Sequence, residues 1–177
     1  SAPRGHGFTD DSLAEEALWY SVRPLPDVPL RLIVFNSVAT GEHYSLPLYY
    51  GVLTREHFEE FIIPELEAAQ AAGEWVILAS HHPSADFDVP YPGDKVSTQE
   101  FRQAVARFPG VVLHLAGHTH QNRASIVPGE HPYIEIETGS IIDYPQEGRI
   151  LDLFVDDGGA SIRVESRMFS HADAPTT

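Results

Sequence analysis

The stretch "VVLHLAGHTHQN" (residues 111–122) decides how this chain is read. Its first six residues are nearly all apolar and rich in Val and Leu, as in a strand covered on both faces. Gly117 then interrupts the run, and His118, Thr119 and His120 follow at once. Two histidines two residues apart are either neighbours on one strand face or ligands for an ion. Gly117 would let the backbone turn sharply, so that both imidazoles converge on a cavity beyond the strand. His114, inside the apolar run, reads as a hydrogen-bonded core residue.

Two similar runs stand upstream. "LRLIVFN" (30–36) and "EWVILAS" (74–80) also read as buried strands, and the second ends directly at "HHP", which places His81 and His82 beyond a strand end. Between them, from Thr54, Phe58, Phe61, Ile62, Leu66 and Ala69 recur at helical spacing, with Gly73 as the stop. Pro64 lacks an N–H to give and predicts a kink. Residues 83–96 read as a long loop. Ser97 and Glu100 then form a capping box for a helix with Phe101, Ala104, Val105 and Phe108 on one face, ended by Pro109 and Gly110.

"LWYSV" (18–22) reads as a further strand, while residues 1–17 and the loop "GEHYSLPLYYG" (41–51) look irregular. After the histidines the pattern changes to paired strands: "ASIV" and "YIEIET" flank "PGEHP", and "ILDLFV" and "ASIRVE" flank "DDGG". Alternating strand and helix followed by hairpins predicts one α/β domain with a mixed sheet and no internal boundary. Within "YIEIET", Glu135 and Glu137 alternate with Ile134 and Ile136, which predicts a solvated or cross-strand face for the two carboxylates. The tail "SHADAPTT" is expected to fray.

Composition narrows the chemistry. The chain has 177 residues, 42% hydrophobic and 21% charged, with a net charge of −15. Such an acidic chain offers no surface for nucleic acid or an anionic membrane, and no apolar run is long enough to span a bilayer. An anionic substrate would need metal ions to supply local positive charge. There is no cysteine, which excludes disulfides, thiolate metal sites and a Cys nucleophile. That fits an exported protein and a cytosolic one equally well. "SAPRGHGFTDD" carries no initiator Met and reads as a cut or processed end.

In open α/β sheets, ligands bind in the crevice beyond the carboxyl ends of strands. "HHP" and "GHTH" both fall at such ends. Neutral imidazole is the commonest side-chain metal ligand, and two histidine clusters together could enclose an ion that neither strand end holds alone.

"SHHP" followed by "AGHTHQN" resembles the C-terminal half of calcineurin-like metallophosphoesterases. The resemblance extends from "GHGF" (5–8) through "RLIVFNS" to "IETGSIIDYPQEGRI" (136–150), a segment similar to the TxSxIDxPQxxR-like stretch of a bacterial branch. It implies an αββα sandwich, a mixed β-sheet flanked by helices, with a two-metal site hydrolysing a small-molecule phosphate ester. By the same resemblance His81 and His118 bind one ion and His120 the other, the metals being Mn, Fe, Zn or Co. His82 has no ligand role in that pattern and either supports the site or simply packs. Asn122 is placed to bond a turn, and Arg149 either to reach a phosphate or to hold its own loop against Asp143 or backbone carbonyls. Asp86 and Asp88, beyond "HHP", read as solvated more readily than as part of a substrate lid.

The opening motifs of the family, DxH, GDxxD and GNH, do not occur; "GDKVS" (93–97) has Ser97 where the second Asp would stand. Residues 1–177 therefore read as the C-terminal part of a single metallophosphoesterase domain. The N-terminal half, with its bridging carboxylate, Asn ligand and general acid, is expected upstream as a partner, and this part alone is expected to be inactive. Two rivals remain: a mononuclear three-histidine zinc hydrolase, and a non-catalytic fragment that serves as a binding module.

Overall fold

The computed structural model describes residues 9–10, 14, 19–38, 50–90, 93–144, 146–156, 158 and 161–170. The irregular start, most of the 41–51 loop and the tail from residue 171 lie outside them. Among the described residues eight strands follow in chain order: β1 (Tyr20–Val22), β2 (Leu30–Val34), β3 (Trp75–Ala79), β4 (Val111–Ala116), β5 (Arg123–Val127), β6 (Tyr133–Glu137), β7 (Glu147–Val155) and β8 (Ile162–Ser170). The first six form one sheet in the order β1-β2-β3-β4-β6-β5. Its centre, β2-β3-β4-β6, is parallel, and β1 and β5 close the edges antiparallel. The remaining two pair as an antiparallel hairpin.

Two crossovers step the same way across the sheet, from β2 to β3 and from β3 to β4, and put both helices on one face. The first helix, α1, comprises an α turn (Arg55–His57), a π segment (Phe58–Ile62) and an α segment (Ile63–Ala71). Ahead of Pro64 the helix is widened: Ile63 N–H bonds back to Phe58 O, and this π turn ends just before Pro64, a residue with no N–H to donate. The second helix, α2 (Thr98–Val105), starts at the expected capping box of Ser97 and Glu100. Between them, a 3-10 turn (Ser84–Asp88) occupies part of what reads as loop.

Phe58, Ile62, Leu66, Phe101 and Val105 from the helices pack on Ile33, Phe35, Val76, Leu78 and Val111 of the sheet. The opposite face carries Leu30, Ile77, Leu113 and Ile136, covered by Leu151, Leu153 and Val164 of the β7-β8 hairpin. Helices, mixed sheet and hairpin are thus stacked in three layers, and the central strands β2, β3 and β4 are covered on both sides, as their continuous apolar runs require, while the edge strand β5 is largely exposed. Among the described residues no helix is long and apolar enough to cross a membrane.

Register sets which side chains meet the helices. His114 of β4 lies opposite Leu78 of β3 and Glu135 of β6, so all three point into the helical layer. Glu135 and Glu137 are 3% and 4% exposed, and of the two expected faces theirs is the cross-strand one: Glu135 meets His114 opposite it in β4, and Glu137 meets Arg123 opposite it in β5. In β6 the buried face is the one that carries the carboxylates, while of the two isoleucines Ile136 is buried and Ile134 is exposed.

Candidate metal centre

The site lies where three neighbouring parallel strands end. Beyond β2, Phe35 N–H bonds Ala79 O; beyond β3, Ser80 N–H bonds Leu115 O; beyond β4, Gly117 N–H bonds His81 O at 3.0 Å. These crossed bonds bring the chain at 35–38, 80–82 and 117–120 into one crevice, as the topology of an open α/β sheet requires.

His118 Nδ1 stands 3.2 Å from His81 Nε2. His82 completes a cluster: its ring centroid is 4.2 Å from that of His118 and 4.8 Å from that of His81. One ligand nitrogen from each of His81, His82 and His118 lies within 4.8 Å of the others. His120 stands further round the same turn, with Nδ1 against the Asp143 carboxylate. Its other ring nitrogen is thereby oriented away from that contact, the pattern in which a carboxylate fixes the tautomer of a ligating histidine.

The turn itself is strained. His118 and His120 have φ of 63° and 53°, a region that non-glycine residues seldom occupy. The sharp bend expected at Gly117 is therefore carried by the two histidines flanking Thr119. What holds them there is Glu137: it accepts the Thr119 hydroxyl at 2.7 Å and pairs with Arg123 at 3.2 Å.

A second buried carboxylate holds the other loop. Glu135 accepts the Ser84 N–H at 3.0 Å, lies 2.8 Å from His114 Nδ1 and pairs with Arg102 at 3.2 Å. The far nitrogen of His114 lies 2.8 Å from Ser80 Oγ, which donates to His82 O at 2.7 Å. His114 is thus the hydrogen-bonded core residue its position suggests, and it sits in a chain of contacts running from α2 to the histidine loop.

His82 is fully buried. Ser37 Oγ lies 2.9 Å from its Nδ1 and accepts its backbone N–H at 3.1 Å, while Nε2 has no partner. Gly51 presses on it: a Cβ there would stand 2.8 Å from His82 Cβ. Burial, reinforced by His118 and His81, pushes the His82 imidazole down to about 4. His81 is lowered too, by burial first and then by His118 and His120. Near neutral pH both are therefore uncharged, as metal ligands must be.

The remaining candidates are placed as follows. Asn122 accepts Gly139 N–H at 2.9 Å and donates to Glu147. The Arg149 guanidinium is shared among Thr138, Ser166, Asn122 and the Glu137 carbonyl. Asp88 is exposed and accepts the Thr98 N–H at 2.9 Å. Asp86 is half-buried: burial raises its carboxyl, and the nearby charge of His118 opposes that rise. Ser37, Gly51, Glu135 and Glu137 carry no sequence signal for the site, being ordinary residues brought to it by the sheet.

These donors fit an ion. Two imidazole nitrogens 3.2 Å apart match the edge of a tetrahedral shell, which is roughly 3.4 Å for metal–nitrogen bonds of about 2.1 Å. The buried, unpartnered nitrogen of His82 is the kind of group that an ion satisfies.

No protein-family model matches the chain, and neither does any curated protein. Among solved structures it is similar to a dimetal phosphatase from Danio rerio, with a TM-score of 0.55 and 11% identity over 90% of this chain and 62% of that one. The chain thus spans less than two thirds of the phosphatase it matches, and at this identity the likeness is one of fold: this is a mixed α/β sheet of the metallophosphoesterase-like type.

Proposed function

We propose that the chain forms part of a metal-dependent phosphoric-ester hydrolase of the calcineurin-like superfamily, with His81, His118 and His120 as metal ligands. The observation that carries this reading is the 3.2 Å approach of His118 to His81 across adjacent strand ends, in a fold like that of a dimetal phosphatase. Bound ions would supply Lewis acidity toward phosphoryl oxygens and a nucleophile at neutral pH. The chain's own part is to hold neutral imidazoles in fixed orientation. Glu137 fixes the GHTH turn through Thr119, Asp143 orients His120, and the Glu135–His114–Ser80 contacts steady the loop that bears His81 and His82.

The complementary ligands come, in this reading, from a separate segment bearing the DxH, GDxxD and GNH patterns, none of which occurs in the sequence. Residues 1–177 alone would then be a poor catalyst. The test is hydrolysis of an aryl phosphomonoester and a bis-aryl phosphodiester by the chain joined to the sequence encoded directly upstream of it. Metal-dependent turnover of either ester, abolished in His118→Asn, is expected. A folded preparation that holds two ions and turns over neither would overturn it.

A further inference from the structure

We propose that His82 is itself a metal ligand, so that His81, His82 and His118 form a three-imidazole site able to hold one zinc-like divalent ion within this chain. The proposal takes from the preceding reading only that His81 and His118 share an ion, and it stands whether or not the protein hydrolyses phosphate esters.

Three observations converge on His82. Its Nε2 is buried and has no hydrogen-bond partner, although nearly all buried polar atoms of folded proteins have one. Its other nitrogen is held: Ser37 Oγ sits 2.9 Å from Nδ1, and Gly51 lies close against the side chain at Cβ. With the proton on Nδ1 and donated to Ser37, the lone pair is left on Nε2, as second contacts of ligating histidines arrange it. Finally, the ring stands 4.2 Å, centroid to centroid, from that of His118, and the three ligand nitrogens all lie within 4.8 Å of each other. Three imidazoles with an open fourth position are a recurrent donor set for zinc. His120, turned to Asp143, is outside this group.

The experiment titrates Co(II) into the full 177-residue chain, following visible ligand-field absorption and calorimetric stoichiometry. His82→Asn keeps a polar atom near the Nδ1 position for Ser37 but has nothing at Nε2, and His131→Asn controls for loss of a histidine elsewhere. One ion per chain is expected, with affinity at least ~10-fold weaker and an altered spectrum in His82→Asn, and neither change in His131→Asn. Equal affinity and an unchanged spectrum in His82→Asn would overturn the proposal, as would failure of the folded chain to bind Co(II). Should circular dichroism show that His82→Asn does not fold, Ser37→Ala decides. It leaves His82 in place but unheld, and is expected to weaken binding ~10–100-fold; unchanged binding overturns the assignment. Ester hydrolysis is not among the readouts, so failure of the hydrolase reading would show separately.

Discussion

Glu135 Oε2 lies 2.8 Å from Nδ1 of His114 and accepts the backbone N–H of Ser84 at 3.0 Å, so one carboxylate oxygen joins a central strand to the loop after "HHP". Burial pushes this carboxyl up, but the bonds from His114 and Ser84 outweigh it and hold the group at about 2. Removing it strands His114 and the Ser84 N–H in a dry interior. Glu135→Ala is expected to lose roughly 3–5 kcal/mol in chemical denaturation, and a His114→Leu/Glu135→Leu pair to lose clearly less than the single change. Because the folded value lies below the unfolded one, this stabilisation is present above pH 4.5 and lost as pH falls toward 2. Equal losses for the single and double variants would contradict the coupling.

Gly51 is the position where a single methyl group should disturb the site. A Cβ there would stand 2.8 Å from His82 Cβ and 3.2 Å from Phe87 Cδ1, and both neighbours are fully buried. Neither can move without displacing core. Gly51→Ala is expected to cost about 1–3 kcal/mol through overpacking and to weaken metal binding by shifting His82. Thermal melts and a Co(II) titration check both effects; a variant as stable as the parent would show that the close approach is relieved without cost.

Local signals explain what the sequence shows of this fold. The runs at 30–36, 74–80 and 111–116 read as buried strands because apolar continuity is itself local, and the Ser97–Glu100 box lies within one turn of its helix. The fate of Glu135 and Glu137 is not local. Alternation with Ile134 and Ile136 leaves a solvated and a cross-strand face equally open, and only the placing of β6 between β4 and β5 sets His114 and Arg123 opposite the two carboxylates. Likewise the positive φ falls on His118 and His120, held through Thr119 by a carboxylate 18 residues along the chain, and nothing near Gly117 announces it. The two histidine clusters are legible at strand ends, whereas Ser37, Gly51 and Asp143 become site residues only once the strands are ordered.

Asp143 provides a check on His120. Its carboxylate contacts His120 Nδ1, both side chains being partly exposed, so its main effect is on ring orientation and basicity and little on stability. If His120 binds an ion, Asp143→Asn should weaken binding of that ion ~10–100-fold while the melting temperature stays nearly constant. Calorimetry on the metal-competent protein reads the first and a thermal scan the second. A large drop in melting temperature with intact metal affinity would assign Asp143 to loop stability alone.

A histidine outside the centre makes the stability of the fold depend on pH. His57 lies in the first helix, stacked on Phe61 at 5.3 Å between ring centroids and tilted against Trp19 at 4.6 Å. Its Nε2 accepts the Asn36 N–H at 3.2 Å, which requires the neutral ring with its proton on Nδ1. Burial pushes the imidazole down from 6.5 to about 4. The unfolded chain takes up this proton near pH 6.5 and the folded one only near 4, so the unfolded state binds more protons between them. The stabilising contribution is complete above pH 6.5, declines as pH falls and is gone below about 4. His57→Gln can keep an acceptor near Nε2 yet cannot titrate. Its stability is therefore expected to fall less steeply than the parent's between pH 6.5 and 4, by up to one proton in the slope of unfolding free energy against pH. Parallel slopes for parent and variant across that window would mean that His57 protonates equally easily in both states, and its packing between Trp19 and Phe61 would then be too loose to exclude the charged ring.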